Sequence, residues 1–155
     1  MAGQIDARLK ELGIALAEPP APRANYVGYM VTGNLIFTAG QVPLKDGKLE
    51  FIGKLGRDMT AEQGYEAAKL CAINVLANVK AALGGDLERI VRCVKLTGFV
   101  NSTPDFPDHP KVINGASDLI VAVLGDKGKH ARSAVGMGNL PFGVATEVEG
   151  IFEFR

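Results

Sequence analysis

The chain has 155 residues, of which 47% are hydrophobic and 22% are charged, so it is long enough for one domain with its own core and too apolar for a disordered protein. Its 17 Lys and Arg residues equal its 17 Asp and Glu residues, so no net charge draws it to nucleic acid or to an anionic membrane. No apolar run approaches the roughly 18 residues of a membrane-spanning helix, and the first residues lack a secretory signal. We therefore expect a cytoplasmic protein without membrane or nucleic-acid partners.

The first 25 residues predict a helix followed by a Pro-rich connector. Ile5, Leu9 and Leu12 recur at helical spacing, and Gly13 ends the pattern. Residues 16–25 contain prolines and no periodicity, which indicates extended chain. Because too little chain precedes this connector to fold alone, residues 1–155 are predicted to form a single domain.

A hairpin is predicted next. Residues 26–32 and 35–41 are rich in β-branched and aromatic side chains, and they flank Gly33-Asn34, a two-residue turn typical of hairpins. The polar residues 45–48 predict a second turn, and residues 49–52 predict a short edge strand.

Two long segments have helical periodicity. Thr60 and Gln63 have the spacing of a capping box, and an apolar stripe predicts a helix over residues 61–83. A second helix is predicted from Pro110, a residue type favoured in the first turn, to the residue before Gly125.

Strand alternation predicts a sheet with two partly apolar faces. Along residues 89–101, one side is predicted to carry Ile90, Val94, Leu96 and Val100, and the other Val91, Cys93, Lys95, Thr97 and Phe99. Along residues 144–154, an apolar face is predicted for Val144, Val148, Phe152 and Phe154, with Glu147, Glu149, Ile151 and Glu153 opposite. A helix layer covers one face only, so a partner subunit is the simplest cover for the second face.

The order of these elements, with strands grouped in hairpins and outnumbering helices, predicts an α+β sandwich with helices on one face. Cys71 and Cys93 are predicted to be buried thiols because no Cys-x-x-Cys spacing accompanies them. His109 and His130 are too far apart for a local metal motif and are predicted to be surface histidines in loops.

Arg132 lies where a loop enters a strand, a place from which a guanidinium can point into a cleft. Its planar group of five donors suits a carboxylate ligand bidentately, and an ion pair with Asp or Glu of the chain is the alternative. Glu149 has two interpretations as well. It is either a solvated carboxylate or, at a subunit interface, a partly desolvated group that holds a water or relays a proton.

The segments Thr38-Ala39-Gly40-Gln41-Val42-Pro43, Arg132-Ser133-Ala134-Val135, Leu140-Pro141 and Glu147-Val148-Glu149, together with Asn114, resemble the YjgF/Rid (reactive intermediate deaminase) superfamily. The similarity runs from Tyr26 to Phe154. The N-terminal helix resembles a longer branch that is often labelled endoribonuclease L-PSP or translation initiation inhibitor. The resemblance implies a chorismate-mutase-like fold with a mixed sheet, assembled as a trimeric barrel with ligand clefts between subunits.

The resemblance also implies an activity, the hydrolysis of 2-imino acids or their enamine tautomers to 2-keto acids and ammonia, without metal or organic cofactor. Arg132 would bind the substrate carboxylate, and Glu149 would position the attacking water. Tyr26, Gly40 and Asn114 would line the cleft.

Two further lining positions depart from the family pattern. Ala134 stands where typical deaminases of the family have cysteine, and Ala39 stands where they have a small hydroxyl residue. The pocket is therefore expected to be more apolar. Two hypotheses remain beside deaminase chemistry on a small carboxylate-bearing metabolite: a non-catalytic binding module, and, with less support, endoribonuclease activity.

Overall fold

The computed structural model describes residues 3–21 and 24–155; the predictions at the first two residues and at Pro22 and Arg23 lie outside the described residues. The α-helices within them are α1 (Gln4–Glu11), α2 (Ala61–Ala82) and α3 (His109–Leu124). The strands are β1 (Tyr29–Thr32), β2 (Leu35–Thr38), β3 (Leu44–Lys45), β4 (Lys48–Leu49), β5 (Ile90–Asn101), β6 (Ala131–Met137) and β7 (Thr146–Phe154).

Five of the described strands form one mixed sheet in the order β1-β2-β7-β5-β6. The pairs β1/β2, β2/β7 and β7/β5 are antiparallel, whereas β5 and β6 are parallel. Parallel neighbours need a long crossover, and α3 supplies it. The prediction of an α+β fold with a mixed sheet is confirmed, and β6 lies at one edge.

The predicted capping box begins α2. Thr60 Oγ1 accepts from the Gln63 backbone N–H at 3.2 Å, and the Gln63 side chain accepts from the Thr60 N–H at 2.9 Å. These two bonds satisfy amides that the first helical turn leaves without partners. The helix ends just before Gly84 and Gly85, which both adopt positive φ.

Helices α2 and α3 cover the same face of the sheet, as predicted. Side chains would not fit at two glycines of this face. A Cβ on Gly98 would collide with the covering side chain of Ile113 of α3, and one on Gly150 would collide with Phe152 and lie close to the covering side chain of Val75 of α2. Both covering side chains are fully buried. The core therefore fills the space between one helix layer and one sheet face.

The alternation predicted for β5 is wrong at one pair of residues. Cys93 is buried on the helix-covered face and Val94 is only half-buried, the reverse of the prediction. The cause is a pair of register shifts against β7, between Ile90 and Arg92 and between Cys93 and Lys95. Each irregularity changes which residues face the core.

The predicted hairpin forms around Gly33-Asn34, with strands shorter than the sequence suggested. The predicted edge strand at residues 49–52 is wrong. Instead, β3 and β4 form a separate two-stranded hairpin around the predicted second turn. Phe51 then adopts φ of 54°, which ends the extended conformation, and Ile52 makes one isolated bridge to Val144.

Cys71 and Cys93 are buried free thiols, as predicted. Burial raises the pKa of both thiols to about 12, so neither is a thiolate at neutral pH. Among residues 3–21 and 24–155, no helix is both long and apolar enough to cross a membrane.

Candidate functional site

Arg132 lies on the helix-covered face of the sheet. Its register partner on β5 is the buried Leu96, and its guanidinium reaches α3. Arg132 Nη1 donates to Asn114 Oδ1 at 2.8 Å and to Ser117 Oγ at 3.2 Å. Because these two acceptors are three residues apart on a helix, they lie on the same side of it and can both bind the guanidinium.

Ser117 is itself held by His130, a contact that the sequence did not predict. His130 Nδ1 lies 2.6 Å from the Gly128 carbonyl oxygen, which only accepts, so Nδ1 carries a proton. His130 Nε2 lies 2.9 Å from Ser117 Oγ, which donates to it when the ring is neutral. This chain of hydrogen bonds fixes the orientation of Ser117 and, through it, of Arg132.

The remaining donors of Arg132, Nε and Nη2, have no partner among the described residues. No described carboxylate lies within 4.0 Å of the guanidinium, so the alternative of an internal ion pair is not seen. A guanidinium that keeps adjacent donors free can bind a carboxylate with two parallel hydrogen bonds.

Glu149 lies on the opposite, open face of the sheet. It pairs with Thr97 on β5, and its neighbours in the chain, Val148 and Gly150, are buried. With Thr97, Lys95 and other residues it lines a depression of about 90 Å³. One chain therefore does not bring Glu149 and Arg132 together.

Glu147 is a second carboxylate on the same open face, and the sequence reasoning gave it no role. It is half-buried against the backbone of Gly40, where any added Cβ would collide with the carboxylate. Burial raises the pKa of Glu147, and the charge of Glu149 raises it further. The signal available in the sequence was the strand alternation, which places both carboxylates on one face.

Ala39 and Gly40 lie beside the start of β7. The Ala39 N–H donates to the Gly28 carbonyl at 2.8 Å, and Gln41 makes a backbone bridge to Val148. Gly40 is exposed and lies between them in the chain. These two predicted lining residues are therefore close to the two carboxylates of β7 and not to Arg132.

Tyr26 lies ahead of β1 with 60% of its surface exposed. Ala134 is two residues beyond Arg132 on the same face of β6, opposite Gly98, and packs partly against the core. The predicted site residues thus form two groups. Arg132, Asn114 and Ala134 lie at the α3 side, while Ala39, Gly40 and Glu149 lie at the β7 side.

The histidines differ from the prediction. His109 is the first residue of α3 rather than a loop residue, and both His109 and His130 are half-buried and hydrogen-bonded to serines. In the part of the chain that the structure describes, no group of three or more His, Cys, Asp or Glu side chains is arranged to hold a metal ion.

Comparison with known proteins decides the family. Residues 6–148 match the family model described as "YjgF/chorismate_mutase-like, putative endoribonuclease". The chain belongs to the YjgF/chorismate mutase-like family. Its fold is that of this family, and the resemblance stated from the sequence is confirmed.

Proteins similar to this chain come from several organisms. The protein TCP17 of Trypanosoma cruzi is 46% identical over 154 residues, covering 99% of this chain and 96% of the relative. Among solved structures, Atu1372 of Agrobacterium tumefaciens, of unknown function, is 50% identical with a TM-score of 0.92, covering 97% of this chain and 92% of that chain. A putative endoribonuclease from Shewanella oneidensis is 34% identical with a TM-score of 0.93, covering 98% of this chain and all of that chain.

Proposed function

We propose that this chain is a cytoplasmic homotrimer that binds small carboxylate-bearing metabolites between its subunits and hydrolyses 2-imino acids to 2-keto acids and ammonia. The observation that carries the proposal is the Arg132 guanidinium, held by two neutral acceptors and facing no described carboxylate. Membership of the YjgF family supports it. The buried free thiols of Cys71 and Cys93 agree with a reducing compartment.

The open face of the sheet supports an assembly. Phe37 and Val135 expose 39% and 42% of their surfaces there, and Phe99 and Ile151 lie beside them in register. Pairs of exposed apolar side chains on an uncovered sheet face are typical of a subunit interface. We expect sedimentation to give a trimer, and Val135→Lys to give monomers, because a lysine ammonium would be buried at the interface. A wild-type monomer at micromolar concentration would contradict this.

The opposite positions of Arg132 and Glu149 give the assembly a role in the site. In one chain they lie on different faces of the sheet. A cleft that uses both must therefore take Arg132 from one subunit and Glu149 from a neighbour. In a cyclic trimer every interface is equivalent, so each would contain one complete pair.

The proposed reaction needs orientation and one water. Arg132 binds the substrate carboxylate, which fixes the imine carbon relative to the neighbouring subunit. Glu149 accepts a hydrogen bond from the water that adds to this carbon. The water oxygen bonds to the imine carbon and one water proton passes to the imine nitrogen, which gives a carbinolamine. The hydroxyl proton of this carbinolamine then passes to the amino nitrogen as the carbon–nitrogen bond breaks, and the products are a 2-keto acid and ammonia.

The first test measures keto acid release from freshly generated 2-iminopropanoate. We expect a rate above that of buffer, which Arg132→Ala reduces to the buffer rate. Arg132→Lys keeps the charge but loses the bidentate geometry, so we expect it to retain only part of the rate. A wild-type rate no higher than buffer would refute the catalytic proposal, and so would an unchanged rate in Arg132→Ala.

The second test asks whether each cleft uses two chains. Arg132→Ala and Glu149→Gln chains are each expected to be inactive alone. When they are co-expressed and assemble at random, about one quarter of the clefts regain both native residues, so about one quarter of the wild-type rate returns. No recovery in mixed trimers would show that the two residues do not act across an interface.

A non-catalytic binding role is the second candidate. The observation that favours it is the pair of alanines, since Ala39 and Ala134 add no polar side-chain atom to either half of the site. Titration calorimetry with pyruvate distinguishes the two. Saturable binding that requires Arg132, without any turnover of 2-iminopropanoate, would favour binding alone.

A further inference from the structure

A second concave site lies at the far end of β5 and β6 from Arg132. It is an open pocket of about 700 Å³ lined by Lys54, Arg57, Ser102, His109, Met137, Gly138 and three neighbours. We call it the Lys54 pocket. Gly136, one of those neighbours, lies four residues beyond Arg132 on the same strand, which is about 13 Å at the usual strand rise. The pocket is therefore distinct from the Arg132 group.

The ammonium of Lys54 has only neutral partners. Lys54 Nζ donates to Asn101 Oδ1 at 2.6 Å and to the Gly138 carbonyl at 2.7 Å, and it lies 3.5 Å from the Ser102 carbonyl. No carboxylate of the described residues lies within 4.0 Å of it. A half-buried cation without a counter-ion favours the binding of an anion beside it.

The other residues that line the Lys54 pocket also favour an anion. Ser102 Oγ lies 3.1 Å from His109 Nε2, so a hydroxyl and an imidazole are held side by side in the wall. No Asp or Glu belongs to the lining. At the rim, Arg57 forms an ion pair with Asp58 at 2.9 Å, which neutralises those two charges but leaves that of Lys54.

Gly136 keeps the wall open at this point. A Cβ on Gly136 would collide with the imidazole of His109 and lie close to Ser102 Oγ. Any other residue there would therefore displace the polar pair from its present position.

We propose that the Lys54 pocket binds the phosphate group of a small molecule. Lys54 supplies the positive charge, and the Ser102 hydroxyl donates to a phosphate oxygen while His109 Nε2 donates to Ser102 Oγ. A hydrogen bond to a charged phosphate oxygen is stronger than one between neutral groups, and the nearby ammonium stabilises the same charge. The volume falls in the range of small-molecule sites, so the pocket also has room for an organic group attached to the phosphate.

Gly138 offers a direct test because it lies at the rim and tolerates a side chain. An added Cβ meets no atom within 4 Å, and the backbone does not have the positive φ that favours glycine. Gly138→Asp places a carboxylate beside Lys54, and Gly138→Asn places a neutral group of the same shape there. The pair therefore changes the charge of the pocket at constant size.

The probe is inorganic phosphate, titrated into the full chain by calorimetry. We expect saturable millimolar binding in the wild type and in Arg132→Ala, binding within about threefold of wild type in Gly138→Asn, and at least tenfold weaker binding in Gly138→Asp. Lys54→Met is expected to lose binding as well. Thermal unfolding of each variant shows whether it is folded.

Ribose 5-phosphate is the second probe, and it identifies the source of the phosphate. Binding at least tenfold tighter than that of inorganic phosphate assigns the pocket to a phosphorylated metabolite, and equal affinity assigns it to free phosphate; both support the site. Absence of saturable binding by either probe would overturn the proposal. It would also be overturned if Arg132→Ala lost phosphate binding while Gly138→Asp retained it.

Discussion

Asn114→Asp tests the carboxylate site with the smallest change of shape. Asn114 Oδ1 accepts from Arg132 Nη1 at 2.8 Å. The substitution replaces this neutral acceptor with a carboxylate in the same place. The introduced charge would pair with the guanidinium and repel the carboxylate of a bound ligand. We expect weaker binding of pyruvate with an intact fold.

The size of the effect follows from Coulomb's law. With roughly 6 Å between the introduced carboxylate and that of the ligand, the repulsion is about 0.7 kcal/mol at the dielectric constant of water and about 2.8 kcal/mol at an effective value of 20. These energies correspond to about 3-fold and about 100-fold weaker binding. Asn114 is exposed while Ser117 beside it is half-buried, so we expect an intermediate loss of about tenfold.

Titration calorimetry at several salt concentrations measures the effect. Asn114→Ala is the control, because it removes one hydrogen bond, worth about 0.5–1.5 kcal/mol, without adding charge. In this control the salt dependence of pyruvate binding should match wild type. In Asn114→Asp it should be flatter, because the charge of Arg132 is already neutralised. Wild-type affinity in Asn114→Asp would refute the assignment of Arg132 as the carboxylate ligand.

Three further predictions concern stability. Gly115→Ala should lower the free energy of unfolding by about 1–3 kcal/mol, because the new methyl group would collide with the Tyr65 carbonyl of α2. Gly138→Ala is the control, and its thermal unfolding should match that of wild type. Glu147→Gln should stabilise the fold at pH 7 and match wild type near pH 4 in urea titrations. The folded-state pKa of Glu147 is raised. The contribution of Glu147 to the free energy of unfolding is therefore fully present below its unfolded pKa and is lost as the pH rises through the folded pKa. Thr103→Val should raise the free energy of unfolding by up to about 1 kcal/mol in the same assay, because Thr103 Oγ1 is buried and has no hydrogen-bond partner among the described residues. Thr103→Ser keeps the hydroxyl and should show no such gain.

The parts of the fold that the sequence predicts correctly are those stabilised by interactions between residues close in the chain. The capping box at Thr60 and Gln63 and the apolar stripe after it place α2 almost residue by residue. Gly33-Asn34 likewise places the hairpin. In both cases the deciding interactions join residues close in the chain, so the sequence pattern contains them.

The errors in the fold arise from pairing between distant segments. The exchange of Cys93 and Val94 follows from register shifts between β5 and β7, where the partner residues are from 56 (Lys95 and Ile151) to 64 (Ile90 and Phe154) positions apart in the chain. Both residues are apolar, so hydropathy gives no sign of which one faces the core. A bulge of this kind becomes visible only when the paired strand is known.

For the candidate site, the sequence predicted residues but not their arrangement. Arg132, Asn114 and Glu149 came from the motif resemblance, and the structure brings the first two together at 2.8 Å. Ser117 and His130 were missed because their contacts with each other and with Arg132 depend on how α3 packs against β6. The spacing of Asn114 and Ser117, one helical turn apart, was the available signal.

The face on which Arg132 lies could not be read from β6 itself. Its alternate residues are Arg132, Ala134 and Gly136 on one side and Ser133, Val135 and Met137 on the other, and the more apolar set, with Val135 and Met137, is not the one on the helix-covered face. Only the pairing with Leu96 settles that Arg132 shares the helix-covered face.

In the proposed trimer, this placement would link assembly to function. The strand β6 is the edge of the sheet, so its outer backbone has no partner among the described strands. Arg132 points from this edge toward α3, whereas Val135 belongs to the open face. A neighbouring subunit that covers the open face up to this edge would end beside the Arg132 guanidinium. In the proposed trimer, one interface would explain both the free donors of Arg132 and the exposed apolar side chains of the open face.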